Sequence, residues 1–169
     1  MAAFQVSGPF NVPVYQGANG RIVREEDGAE FFSDHPAHSK KRGCYVFAMR
    51  SGGGITPTYV GKATKSFGQE CFQGHKLSKC NQTLVDYVKG TLVLFFFEAP
   101  LGSKPPKTQI DQLETFLIQT ALSANPYLLN IKKTKQELWS ITGILRSGSG
   151  KPSKAALAAR SMLAIAPRK

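Results

Sequence analysis

Residues 43–61, GCYVFAMRSGGGITPTYVG, constrain the fold of this chain more than any other stretch. Two short apolar runs rich in β-branched and aromatic residues flank a glycine-rich break at residues 51–54. This pattern predicts a β-hairpin that carries Tyr45 on its first strand and Tyr59 on its second. A helical pattern begins soon after Gly61, so the hairpin would bring two phenol groups close to a basic helix.

The sequence after the hairpin predicts a helix, a strand and a second helix. Ser66 followed by Gln69 resembles a capping box and predicts a helix from about Phe67, with a helical apolar stripe beyond it. Residues 91–98, TLVLFFFE, have the length and composition of a buried central strand. Residues 108–123 repeat apolar side chains at the helical period. The predicted fold is therefore a small α/β (α+β) domain, with a three-stranded, mostly antiparallel sheet flanked by helices.

Changes in composition divide the chain into three predicted segments. Residues 1–42 are expected to form an N-terminal β-rich extension, with a hairpin turn at residues 17–20 and a polar linker from residue 33. Residues 43–130 form the core domain. Residues 131–169 form a basic helical C-terminal extension, with a short helix at residues 137–145 and an alanine-rich helix capped by Ser153.

The distribution of charge indicates a polyanionic partner. The net charge is +11 and the isoelectric point is about 9.8. Residues 1–42 are neutral, with five basic and five acidic groups, whereas residues 131–169 carry nine basic groups and one acid. So uneven a distribution favours nucleic acid as the partner, and DNA is the expected one. The alternative is that the charge serves solubility alone.

Composition also bounds the cellular setting. No apolar run approaches the roughly 20 residues that span a bilayer, so no membrane partner is expected. The N-terminus lacks the basic and apolar segments of a secretory signal. Three cysteines are few for a chain of this length and odd in number, so a disulfide framework is not expected. A cytoplasmic location is therefore predicted.

Two tripeptides in the predicted hairpin resemble the signatures of a known family. Gly43-Cys44-Tyr45 and Tyr59-Val60-Gly61 are similar to the Gly-Ile-Tyr and Tyr-Ile-Gly motifs of the GIY-YIG nucleases. Further matches are Glu114 at the family's metal-binding glutamate, His75 at a first-helix histidine, and Pro126 with Asn130 at the end of the motif. The resemblance covers roughly residues 43–130, about half of the chain.

The resemblance implies a metal-dependent endonuclease that hydrolyses DNA phosphodiester bonds. It implies that Glu114 holds Mg²⁺ or Mn²⁺, that Tyr45 is a general base, and that Tyr59 contacts phosphate or water. Mg²⁺ commonly takes only one or two protein carboxylates, so a single glutamate suffices as its anchor. A buried salt bridge is the alternative role for Glu114, and ordinary packing within strands is the alternative role for both tyrosines.

The remaining candidate residues complete two groups. The predicted catalytic residues are Tyr45, Tyr59, His75 and Lys62. The predicted nucleic-acid-binding residues are Gly61, Lys65, Lys76, Asn130, Lys132, Lys133, Lys135 and Arg146.

One departure from the family pattern leaves the activity open. The family carries an arginine on its first helix, and the corresponding positions here are Cys71 or Gln69, depending on how the distance is counted. Nearby lysines could supply the charge, but not the bidentate fork of a guanidinium. Three interpretations therefore stand: an endonuclease, a catalytically inactive nucleic-acid-binding module on the same fold, and a protein-interaction domain.

Overall fold

The computed structural model describes residues 3–18, 20–52, 54–135, 141–142 and 151–163. The chain divides into two compact units, residues 1–134 and residues 135–169. The elements of the first unit are, in chain order, β1 (Gln5–Asn11), β2 (Tyr15–Gly17), β3 (Gly20–Ile22), α1 (Glu25–Asp34), α2 (Pro36–Ser39), β4 (Gly43–Ser51), β5 (Gly54–Ala63), α3 (Phe67–Glu70), α4 (His75–Asp86), β6 (Thr91–Glu98) and α5 (Lys107–Ala124). The second unit contains α6 (Lys154–Met162).

The main sheet has four antiparallel strands in the order β1–β6–β4–β5, and β2 and β3 form a separate two-stranded sheet. The mixed α+β class is therefore confirmed. The prediction of three strands was wrong by one, because β1 from the N-terminal extension pairs with β6. Without β1, the apolar strand β6 would be an exposed edge, which folded proteins generally avoid.

Strand β4 separates two cores. Its residues from Gly43 to Met49 are all buried, and it pairs with β5 on one side and β6 on the other. Tyr45 and Phe47 face an aromatic core that is closed by α1, α3 and α4. Cys44 and Val46 face a second core that is closed by α5. The alternation of side chains along the strand therefore gives the sheet a helical layer on each face.

Several predicted elements are confirmed, one with its bounds unchanged. The buried strand at residues 91–98 is β6, and α5 extends one residue beyond the predicted helix at each end. Ser66 and Ser153 cap α3 and α6 through their hydroxyl groups. The helical stripe after Ser66 is interrupted, because Gly74 adopts a φ of 53° between α3 and α4.

The predicted linker was wrong over most of its length, since residues 33–34 end α1 and residues 36–39 form α2. Helix α1 begins at a capping box formed by Arg24 and Asp27, and it buries Phe31 and Phe32 against the aromatic core. The predicted turn at residues 17–20 joins β2 and β3. Most of the predicted helix at residues 137–145 lies outside the described residues. In the part of the chain that is described, no helix has the length and hydropathy needed to cross a membrane.

A buried carboxylate ties the N-terminal elements to the sheet. Glu98 at the end of β6 accepts hydrogen bonds from Ser7 Oγ at 2.8 Å and from Lys41 Nζ at 2.7 Å, and His38 Nδ1 lies 2.7 Å from it. Burial by itself would raise the pKa of Glu98, but the hydrogen bonds from Lys41, His38 and Ser7 outweigh burial and lower it. Glu98 therefore joins β1, α2 and the segment before β4 through one charge.

Replacing Glu98 should lower stability in a pH-dependent way. Because folding lowers the pKa of Glu98, its contribution is complete above the unfolded pKa of about 4.3 and is lost as the pH falls through that value towards the folded pKa. We expect Glu98→Gln to lower the free energy of unfolding by about 2 kcal/mol at neutral pH. Chemical denaturation should show the deficit shrinking below about pH 4. Glu30→Gln, at an exposed position, is the matched control. If Glu98→Gln lowers the free energy of unfolding equally at neutral pH and below about pH 4, the role of charge is contradicted.

Candidate nucleic-acid site at the edge of the sheet

The two signature tripeptides lie on paired strands. In the β4–β5 pair, Tyr45 is opposite Gly61 and Phe47 is opposite Tyr59. The ring of Tyr45 occupies the space that a side chain at Gly61 would fill. The ring centroids of Tyr45 and Tyr59 are 6.5 Å apart. A glycine at position 61 is therefore what allows the phenol of β4 to reach across β5.

The phenol of Tyr45 lies in the aromatic core. Its side chain has no exposed surface, and its hydroxyl group has no hydrogen-bond partner among the described residues. Burial raises the pKa of Tyr45 well above its ordinary value. The Nζ of Lys76 lies 5.9 Å from the ring centroid of Tyr45. In this arrangement the phenol is neutral and out of contact with solvent, so its role as a general base stays a prediction.

A cleft of about 350 Å³ follows the outer edge of β5, between α4, α5 and the segment after α5. We call it the edge cleft. It contains seven of the predicted site residues, which come from four separate parts of the chain: Tyr59, Lys62, His75, Glu114, Asn130, Lys132 and Lys133. Lys79 and three apolar residues, Ile118, Leu129 and Ile131, complete its lining.

Tyr59 is the phenol that borders the edge cleft. Burial first, and the negative charge of Glu114 second, raise the pKa of Tyr59 to about 12. The hydroxyl group is therefore protonated at neutral pH. Such a group can donate a hydrogen bond to a phosphate oxygen, which suits the phosphate contact predicted for it.

Glu114 is held by two lysines. Its Oε2 accepts a hydrogen bond from Lys133 Nζ at 2.6 Å and lies 3.3 Å from Lys62 Nζ. Lys62 also bonds Asp111, one turn earlier on α5. Partial burial lowers the pKa of Lys62, but its hydrogen bonds to Asp111 and Glu114 outweigh burial and raise it overall. The hydrogen bond from Lys62 lowers the pKa of Asp111. We call these four side chains the lysine–carboxylate cluster.

The backbone of Lys133 supports this arrangement. Lys133 has a φ of 63°, the one left-handed non-glycine residue among those described. This conformation costs about 1 kcal/mol or more and persists only where the surroundings enforce it. Its Nζ also donates to the backbone oxygen of Asp111 at 3.1 Å. The ammonium group is therefore fixed at the boundary of the edge cleft by its backbone as well as by its ion pair.

Asn130 closes the outer edge of β5. Its side-chain oxygen accepts a hydrogen bond from Val60 N at 2.9 Å, and its Nδ2 donates to Val60 O at 2.8 Å. The adjacent Leu129 N donates to Thr58 O at 2.8 Å. These bonds satisfy an otherwise unpaired strand edge. Asn130 thus shapes the wall of the edge cleft, and its role in binding nucleic acid stays a prediction.

Glu114 is the one carboxylate among the described residues that line the edge cleft. Mg²⁺ prefers oxygen ligands and usually keeps several waters beside one or two carboxylates. Glu114 offers one carboxylate at the edge cleft, and Asp111 lies one turn away on the same helix. A cation at Glu114 would compete with the two lysine ammonium groups. Within the described ranges, no group of three or more His, Cys, Asp or Glu residues could hold a metal alone.

The other predicted residues that the structure describes lie outside the lining of the edge cleft. Lys65 and Lys135 are exposed, and Lys76 Nζ lies 3.5 Å from Glu70 Oε2. Arg146 lies outside the described residues. Sequence reasoning missed Asp111 and Lys79, although each is three or four residues from a predicted site residue on the same helix, which is the spacing of neighbours on one helical face.

No family model, no curated protein and no solved structure matches this chain.

The contact between Tyr45 and Gly61 can be tested by adding one methyl group. Gly61→Ala would place its Cβ closer to Cζ of Tyr45 than non-bonded carbon atoms can approach, so the core must shift. We expect the free energy of unfolding to fall by about 2 kcal/mol, as in other overpacked cores. Gly54→Ala on the same strand is the control, because its Cβ would meet no atom within 4 Å. Urea denaturation of both variants makes the comparison, and equal stabilities would contradict the close packing.

Proposed function

We propose that this chain is a metal-dependent endonuclease that hydrolyses DNA phosphodiester bonds in the edge cleft. The single observation that carries the proposal is that seven residues chosen for phosphodiester chemistry line one cleft. They come from β5, α4, α5 and the segment after α5. Their proximity is therefore produced by the tertiary fold, because these elements are far apart along the chain. The resemblance of the hairpin tripeptides to those of GIY-YIG nucleases supports the same reaction.

The side chains of the edge cleft divide the work of phosphodiester hydrolysis. Lys79 and Lys132 offset the negative charge of the nucleic-acid backbone. Tyr59, protonated at neutral pH, donates a hydrogen bond to a phosphoryl oxygen, where negative charge increases in the transition state. Glu114 would hold a magnesium ion, which would supply Lewis-acid stabilisation of that charge. His75, exposed at the start of α4, belongs to the residue type that most often transfers protons in active sites.

Removing the carboxylate of Glu114 should abolish the reaction. We expect purified wild-type protein to nick supercoiled plasmid with Mg²⁺ and to stop when a chelator is added. Glu114→Gln should lower the nicking rate by about a hundredfold or more, because the anchor of the cation is lost. Asp86→Asn, on the exposed end of α4, is the matched control and should nick normally. Nicking that persists in Glu114→Gln would contradict the proposal.

The identity of the proton acceptor can be decided in the same assay. The buried position of Tyr45 favours His75, which is exposed in the edge cleft. His75→Gln should therefore lower the nicking rate. Tyr45→Phe should retain most of the wild-type rate when both proteins are assayed at a temperature at which both are fully folded. Loss of nicking in Tyr45→Phe alone would assign the base to the buried phenol.

A second function is favoured by the lysine–carboxylate cluster. Glu114 already has two cationic partners, at 2.6 Å and 3.3 Å. The chain also lacks the first-helix arginine of the GIY-YIG nucleases, and the buried Cys71 is at one of the corresponding positions. Both observations fit a nucleic-acid-binding module that has no catalytic activity. Binding without Mg²⁺-dependent nicking would select this function over the first.

Both functions predict that binding depends on salt through the lysines of the edge cleft. Each phosphate contact contributes a slope of about −0.9 to the logarithm of the affinity against the logarithm of salt. Lys132→Gln should weaken DNA binding and reduce the slope by about one contact. Lys104→Gln, in the exposed loop after β6, is the control. Affinity that does not change with salt would favour the protein-interaction domain.

A further inference from the structure

A second groove, of about 630 Å³, runs along the solvent side of α5. We call it the α5 groove. It is lined by Lys62, Asp111, Gln112, Thr115, Phe116, Gln119 and Lys133. Lys62 and Lys133 also line the edge cleft, so the two depressions share a boundary. A bound polymer that extends from the edge cleft past these two lysines would enter the α5 groove.

Phe116 lies on the α5 groove with its ring in solvent. Its side chain is 64% exposed, whereas the apolar residues Ile110, Leu117 and Ile118 of the same helix are buried. A phenylalanine that is mostly exposed adds little packing to the helix, and its helix propensity is below that of alanine. Its ring face is available for stacking, which is the chief means by which proteins hold unpaired bases.

Polar groups suited to a base surround this ring. Gln112 precedes Phe116 by four residues and Gln119 follows it by three, so both lie beside it on one face of α5. Each side-chain amide carries donors and an acceptor, the groups that pair with the edges of bases. The α5 groove thus combines a stacking surface with hydrogen-bonding groups, next to lysines that suit phosphate.

We infer that the α5 groove binds an unpaired nucleotide of a strand whose backbone lies in the edge cleft. The base stacks on Phe116, and the shared lysines contact the adjoining phosphate. This inference rests on the proposed function only for the class of partner, nucleic acid. Four lysines against two carboxylates line the combined surface, so its charge suits a polyanion. A duplex is the wrong occupant, because its base faces are already stacked on their neighbours.

Fluorescence anisotropy with labelled oligonucleotides tests the inference. The probes are a single strand of mixed sequence, the same strand with abasic sites, and the duplex. Phe116→Ala should weaken binding of the intact single strand by about tenfold, the usual effect of losing one stacked base. Its affinity for the duplex and for the abasic strand should stay within about twofold of wild type, since neither can stack on the ring.

A second variant makes the stacking visible. Phe116→Trp should retain affinity, and its emission should be quenched by the single strand and much less by the duplex, after subtraction of the signal from the native Trp139. Val85→Ala is the matched control, because Val85 is 71% exposed on α4 and lines neither depression. Equal effects of Phe116→Ala on intact and abasic strands would overturn the inference.

The outcomes separate this inference from the proposed function. If wild type binds DNA and nicks plasmid while Phe116→Ala leaves single-strand binding unchanged, the α5 groove is not a base site and the nuclease proposal stands. If Phe116→Ala selectively loses the intact single strand while wild type never nicks, the base site stands without catalysis. If wild type binds no oligonucleotide, both fail, and a protein partner becomes the explanation for the exposed ring.

Discussion

The position of β4 between β5 and β6 determines where a site can form on this fold. Because β4 is buried on both faces, the sheet separates the layer of α1, α3 and α4 from the layer of α5. Tyr59 faces the first layer and Glu114 belongs to the second. Side chains from the two layers can meet only where the sheet ends. The outer edge of β5 is one such place, and the edge cleft lies along it.

An exposed strand edge is also the weakest part of such a sheet, and the segment after α5 protects it. Asn130 forms hydrogen bonds with both backbone groups of Val60, and Leu129 N donates to the backbone oxygen of Thr58 on the same edge. The same segment carries Lys132 and Lys133 into the edge cleft. Closing the strand edge and supplying positive charge are therefore accomplished by one short piece of chain. Substitutions there must be judged for stability and for binding separately.

The sequence predicted those features whose cause is local. Strand β6, helix α5 and the caps at Ser66 and Ser153 follow from apolar patterns and from residues within three positions of one another. The pairing of β1 with β6 joins residues about 90 positions apart, and no local pattern encodes it. The edge cleft was anticipated in part, because family-like motifs chose Tyr59 and Glu114. A salt bridge was the alternative predicted for Glu114, but its partners, Lys62 and Lys133, are set by tertiary packing and no local pattern identifies them.

Under the proposed nuclease function, the lysines of the lysine–carboxylate cluster would supply positive charge that GIY-YIG nucleases obtain from an arginine. A guanidinium carries one charge with a rigid fork of donors, whereas two lysines supply two separate charges without that fork. With Glu114 and Asp111 as their partners, the charges in the cluster balance in the absence of ligand, which limits repulsion within a strongly basic chain. A cation at Glu114 would free the ammonium groups, and they would then be available to phosphate. Binding of metal and of nucleic acid would therefore support each other, a coupling that a guanidinium placed away from the carboxylates would not produce.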